Sequence, residues 1–255
     1  MKKWKKINLS AFAIVVTTTA SLVYVLGTTS FSSPFGKPWH LSTSEHEDSL
    51  SLDYLNRYRI IDQKPLSQYY FDSSKTNIFI LVDAWGVPVQ ESILSGEFAI
   101  FEKIPHSFAL HQRLANRNKY AERVELRNPA PNNLYLFGGD SLEYNRQKYI
   151  REMGFENTLY CNKCSDSLMI AKIDSVLAED SLKFIAWTTQ SSRTGNKDSL
   201  RKTLSLIAKF ANTHPEQQIV VQGTHRPILG RPEIRNAHKS HWVPVVVLNI
   251  KEKDR

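Results

Sequence analysis

The segment NIFILVDAWGVP, residues 77–88, constrains the fold more than any other part of the chain. Ile78 to Val82 form an unbroken apolar run that ends in one carboxylate, Asp83, at the entrance to a Trp-Gly-Val-Pro turn. A run of this kind predicts a strand buried on both faces, as in a parallel sheet covered by helices. In such sheets the crevice beyond the carboxyl ends of the strands is where ligands bind. A charge placed there needs a partner, which a metal ion or a cationic substrate group would supply. The alternative is that Asp83 caps the following turn through its own side chain.

From residue 77 onward the chain alternates strand and helix. Strands are predicted at 77–83, 132–137, 156–161, 182–188, 217–222 and 243–250. Helices are predicted at 106–126, 141–153, 165–178 and 197–213. The last of these places Leu200, Leu204, Ile207 and Phe210 on one face at helical spacing. The alternation argues an α/β fold with a mostly parallel central sheet and helices on both faces. Right-handed crossovers bring strand ends to one edge, so Asp83, Gly138–Asp140, Thr188–Arg193 and Gly223–His225 are expected to converge.

The N-terminus reads differently. Lys2, Lys3, Lys5 and Lys6 precede Ile7–Gly27, which runs 21 residues without a charge, a length that can cross a bilayer. The lysines predict a cytoplasmic N-terminus and an exported body. We expect a retained transmembrane anchor, because the apolar stretch exceeds the roughly 7–15 residues of a signal-peptide core. A signal peptide cleaved near Gly27 is the alternative. Residues 28–74 are expected to form a tether and a lead-in helix, and residues 75–255 the main domain. Of the formal net charge of +8, four charges belong to those lysines. No basic run interleaved with aromatics supports a nucleic-acid partner.

The order of landmarks resembles the alkaline phosphatase superfamily, in particular its sulfatase, phosphoethanolamine transferase and lipoteichoic acid synthase branches. NIFILVDAWGVP is similar to the first strand of that fold, which ends in a metal-binding acid. LYLFGGDSLEYNRQKYIREMGF is similar to a stretch in which a Gly-Gly-Asp turn leads into a helix. IVVQGTHRP stands where those proteins carry a strand ending in Asp-His, and SHWVPVVVLNI resembles their late His-x-Val-Pro strand. The likeness covers about two-thirds of the chain, residues 75–250. It implies chemistry on phospho- or sulfo-esters of envelope lipids or glycans. In that chemistry a divalent metal, zinc or manganese, activates a hydroxyl nucleophile and neutralises an anionic oxygen. The residual ligands it implies are Asp83, His225 and His241, with Asp140 nearby and Trp85, Thr224, Arg113 and Arg123 lining the site.

Several positions depart from that pattern. The paired Asp-His is Thr224-His225 here, and a hydroxyl is a much poorer ligand than a carboxylate. No Gly-x-Thr or Cys-x-Pro-x-Arg nucleophile motif occurs between Trp85 and Asn132. The resemblance therefore implies a degenerate site with at most one divalent metal, and the catalytic nucleophile is unassigned. The first reading is a weakly active or inactive phospho- or sulfo-ester hydrolase or transferase, bound to the membrane and facing an anionic lipid or glycan. The alternative is a non-catalytic, membrane-tethered binding or scaffold protein with a protein partner.

Other residues have plainer explanations. Arg113, Arg117 and Arg123 with Lys119 are able to contact an anion, or to form a solvated helix face. Trp85 either walls a pocket or packs under the turn. His238 and His241 are three apart just before a strand, which suits a solvated pair better than a metal site. The chain's two cysteines, Cys161 and Cys164, are expected to pair as a local disulfide in an oxidising compartment. A thioredoxin-like redox role is the weaker reading of the same motif.

Overall fold

The structure is a computed structural model and describes residues 49–113, 118–126, 133–138, 153–159, 164–228 and 232–250. The chain divides into two compact units, Met1–Glu47 and Asp48–Arg255, and all described residues lie in the second. Among the described residues no helix is long and apolar enough to cross a membrane. The segment expected to do so, residues 7–27, lies outside them, as does the tether to residue 48.

An eight-stranded mixed sheet organises the domain. Its strands in chain order are β1 (Arg59–Ile61), β2 (Asn77–Val82), β3 (His106–Gln112), β4 (Leu134–Gly138), β5 (Asn157–Leu159), β6 (Phe184–Thr188), β7 (Ile219–Gly223) and β8 (Trp242–Leu248). Across the sheet they run β1-β3-β8-β7-β2-β6-β4-β5. β8 is antiparallel to both its neighbours, and every other pairing is parallel. β2 is central and buried at all six positions, as its apolar run requires. Side chains alternate between faces along a strand. Ile78, Ile80 and Val82 enter one core cluster, and Phe79 and Leu81 the other.

Helices cover both faces. α5 (Asp166–Leu177) and α6 (Lys197–Thr213) bury Met169, Ile173, Leu204 and Ile207 in the first cluster. Ser165 caps α5 by accepting from the Leu168 N–H at 3.3 Å, and Asn196 caps α6 by accepting from the Asp198 N–H at 2.9 Å. On the other face α2 (Leu66–Tyr70) and α4 (Asn118–Glu125) contribute Leu66 and Ala121. Short helices α1 (Leu52–Arg57), α3 (Glu91–Phe98) and α7 (Pro232–Asn236) and a 3-10 turn at Ala99–Phe101 complete the described elements.

The expected helix over 106–126 is corrected. His106–Gln112 is strand β3, and only Asn118–Glu125 is helical. β3 lies between β1 and β8, so pairing on both edges and burial at residues 109–111 override a weak local pattern. The sheet also recruits β1 from the stretch read as a lead-in helix. The predicted helix at 141–153 falls almost wholly outside the described residues.

Candidate functional site

Register places the site. Val82 pairs with Gly223 and Leu81 with Thr188, so the chain leaving β2 emerges between those leaving β7 and β6. The ladders run one residue further, with Thr224 N–H donating to Val82 O at 3.0 Å and Thr189 N–H to Leu81 O at 2.9 Å. Asp83, Thr189 and Thr224 therefore stand side by side at the carboxyl edge. Close approach demands glycine at two points. A Cβ on Gly223 would lie 1.8 Å from the Trp85 carbonyl oxygen. One on Gly138, which has φ +86°, would lie 2.0 Å from that of Thr188.

Asp83 and His225 meet. Asp83 Oδ1 is 3.3 Å from His225 Nε2, and both side chains are almost fully buried. The other ring nitrogen, Nδ1, donates to the Arg226 carbonyl at 2.7 Å. Both nitrogens of His225 thus face acceptors. Asp83 N–H donates to Thr189 Oγ1 at 3.0 Å, and that hydroxyl is 3.0 Å from Ser192 Oγ. Thr224 is equally occupied. Its hydroxyl donates to Val82 O and accepts from Ala84 N–H, both at 3.3 Å. Ala84 has φ 57°, a left-handed conformation that costs a non-glycine residue about 1–2 kcal/mol, and the Thr224 hydroxyl helps to hold it there.

The remaining expected residues are scattered. Among the described residues no group of three or more His, Cys, Asp or Glu is placed to hold a metal ion. Of the expected ligands Asp83, His225 and His241, the structure brings Asp83 and His225 together. His241 is half-buried, and its carbonyl accepts from Arg113 N–H at 2.6 Å. Trp85 is wholly buried, edge-on to Phe98, and donates from Nε1 to Glu97 at 2.8 Å. Burial pushes the Glu97 carboxyl up to about 7, against the opposing pull of the Trp85 N–H and Lys197. Arg123 is exposed on α4. Asp140 lies outside the described residues. Cys164 is in disulfide form, and Cys161 lies outside the described residues.

Arg113 belongs to a second cluster that the sequence did not reveal. Its Nη1 donates to the Gly223 carbonyl at 3.2 Å, and its Nη2 is 3.8 Å from Glu125 Oε1. Glu125 accepts from Leu66 N–H at 2.7 Å and from Gln222 Nε2 at 3.4 Å. His111 Nε2 donates to Lys64 O at 3.0 Å, which leaves Nδ1 to accept from Gln222 Nε2 at 2.5 Å. Burial lowers the His111 pKa, with Glu125 opposing. Beside them Glu122 accepts from the Thr188 hydroxyl at 2.9 Å. Arg113, Glu122, Glu125, His111 and Gln222 are all buried, so Arg113 is closed off from any anion in solvent.

The loop after β6 has its own support. Asp166, 2% exposed at the start of α5, accepts from Gln190 N–H at 2.9 Å, Ser191 N–H at 3.2 Å and the Thr203 hydroxyl at 3.3 Å. This carboxylate positions the backbone that presents Thr189 and Ser192. Neither hydroxyl follows a nucleophile motif, so residue pattern alone passed over them.

No family model and no curated protein matches the sequence. Solved structures similar to the chain include the lipoteichoic acid synthase LtaP from Listeria monocytogenes, 13% identical with a TM-score of 0.49 over 69% of this chain and 66% of that one. The C-terminal periplasmic domain of EcEptC from Escherichia coli, in complex with Zn, is 11% identical with a TM-score of 0.44 over 70% and 74%. A protein of the alkaline phosphatase superfamily from Vibrio parahaemolyticus is 11% identical with a TM-score of 0.45 over 69% and 62%. The chain thus spans slightly less than two thirds of the synthase's length.

Proposed function

We propose that this chain is an extracytoplasmic, membrane-tethered domain on a sulfatase/phosphotransferase-like fold, and that its cleft binds a ligand or partner without metal-dependent turnover. The observation that carries the reading is Thr224. At the position where the resemblance expects a carboxylate, its hydroxyl is spent on the Val82 carbonyl and the Ala84 amide. Asp83 and His225 are left facing each other at 3.3 Å. A zinc site needs about four donors at about 2.0–2.2 Å, and the described residues offer two. The donor set does not fit a resident metal. Thr189 and Ser192 supply hydroxyls near Asp83, but one accepts from a backbone amide and each bonds the other.

The ligand class expected from the resemblance is an envelope lipid or glycan carrying phospho- or sulfo-esters, with a protein partner as the other possibility. One observation favours an enzyme as second reading. Two ligands on a tetrahedral zinc stand about 3.3 Å apart, the separation of Asp83 Oδ1 and His225 Nε2. The pair matches one edge of such a site.

Elemental analysis of the purified full chain, before and after chelation, separates the readings. We expect less than stoichiometric zinc and manganese, and no chelator-sensitive hydrolysis of chromogenic phosphate or sulfate esters. One metal per chain, lost in Asp83→Ala, would overturn the proposal and establish the second reading.

A further inference from the structure

Helix α6 has two unlike sides. Leu200, Leu204, Ile207 and Phe210 are buried against the sheet. On the other side Lys197, Arg201, Lys202 and Lys209 are exposed, with Asp198 the one acid among them. Lys197, Arg201, Ser205 and Lys209 follow one another at intervals of four, which aligns them along the helix. The row is about 18 Å long at 1.5 Å per residue. Asp198 stands at pairing distance in sequence from both Arg201 and Lys202, yet none of Arg201, Lys202 and Lys209 has an ion pair among the described residues. Asp198, Arg201, Lys202, Ser205, Leu206 and Lys209 line an open hollow of about 580 Å³.

We infer that this face of α6 docks on the anionic headgroups of the bilayer to which the chain is tethered. The inference rests on the tethered reading above. Charge complementarity supports it, since each Lys or Arg held at an anionic surface strengthens binding about fivefold, and three together about a hundredfold. A domain held at a membrane meets its headgroups at high effective concentration. The chemistry of the face selects among occupants. Protein hot spots favour aromatic anchors, and single-stranded nucleic acid needs stacking platforms. This face carries no aromatic residue, and its one apolar side chain, Leu206, is half-buried. Contact is therefore electrostatic and peripheral, without insertion, and salt weakens it.

Acetylation footprinting of the full chain in nanodiscs tests the inference. Zwitterionic discs are compared with discs containing about 30 mol % phosphatidylglycerol, at low salt and at about 0.5 M salt. We expect Lys202 and Lys209 to be protected severalfold in the anionic discs only, protection to vanish at high salt, and Lys172 on α5 to be unchanged. The doubly exposed variant Arg201→Glu/Lys202→Glu, which touches no buried contact, is expected to abolish protection of Lys209. Equal reactivity in both discs overturns the inference. So does equal protection by soluble polyphosphate in zwitterionic discs, which would make the face a site for a soluble polyanion. Flotation reads the tether separately. A chain that leaves zwitterionic discs refutes the anchor, and salt-sensitive flotation of that chain with anionic vesicles would still support the α6 face.

Discussion

The cluster around Asp83 and the cluster around Glu125 share one residue. Gly223 gives its carbonyl to Arg113 on one side and leads into Thr224 and His225 on the other. Around Glu125 four side chains and a backbone amide interlock, and the charges of Arg113 and Glu125 face each other across 3.8 Å. Around Asp83 the groups are satisfied mainly by the strand ends themselves, and the one contact between charged-type side chains is Asp83 with His225. The difference teaches that burial alone does not mark a site. The Glu125 network ties α2, α4, β3 and β7 together and has no route to solvent. The Asp83 pair sits at the carboxyl edge of the sheet, where the chain leaving β2 emerges between those leaving β6 and β7.

The comparison breaks most readily at Glu125. Glu125→Leu strands the Arg113 guanidinium in the interior, a change expected to cost about 3–5 kcal/mol, read as a lower midpoint in urea unfolding. A loss under 1 kcal/mol would mean that the network holds little of the fold. A smaller effect is expected on the other side. Thr224→Val leaves the Val82 carbonyl its bond from the residue 224 amide but strips the Ala84 amide of its acceptor, for about 1–2 kcal/mol. Because that acceptor also steadies the left-handed Ala84, proteolysis at the 83–87 turn should quicken in the same variant.

A further prediction concerns pH. Folding moves the Glu97 carboxyl from its ordinary 4.5 to about 7. The folded chain therefore keeps this proton where the unfolded chain has lost it, and stability declines as pH rises from about 4.5 to about 7. Glu97→Gln retains an acceptor for the Trp85 N–H and should flatten that decline in thermal melts taken across the window. A decline that persists would assign it to another group whose pKa folding raises; His238, whose burial lowers its pKa, gives the opposite slope.

Much of the frame was readable in the residues because burial writes itself into composition. The five buried apolar positions of β2, Ile78 to Val82, and the striped face of α6 match the expectation nearly residue for residue. The meeting of Asp83 with His225 was readable too, since topology alone carries both to one edge. β3 was not, because His111 occupies an interior position with a polar ring whose partners, Lys64 and Gln222, are remote in sequence. Glu122 and Glu125 escaped for the same reason. On a short helix rich in charge, nothing local distinguishes a carboxylate turned inward from one turned to water. Asp166 looked like a first-turn acid, and its real service to the Gln190 and Ser191 amides depends on a loop 24 residues away. Long-range polar pairing leaves no periodic trace.

β8 is the last strand among the described residues, yet it stands in the interior of the sheet, between β3 and β7. Along the hydrogen-bonded order, β1 and β3 reach the other strands only through it. Without residues 242–248 the hydrogen-bonded sheet divides into β1-β3 and β7-β2-β6-β4-β5, with side-chain contacts such as that of His111 with Gln222 left to hold the two together.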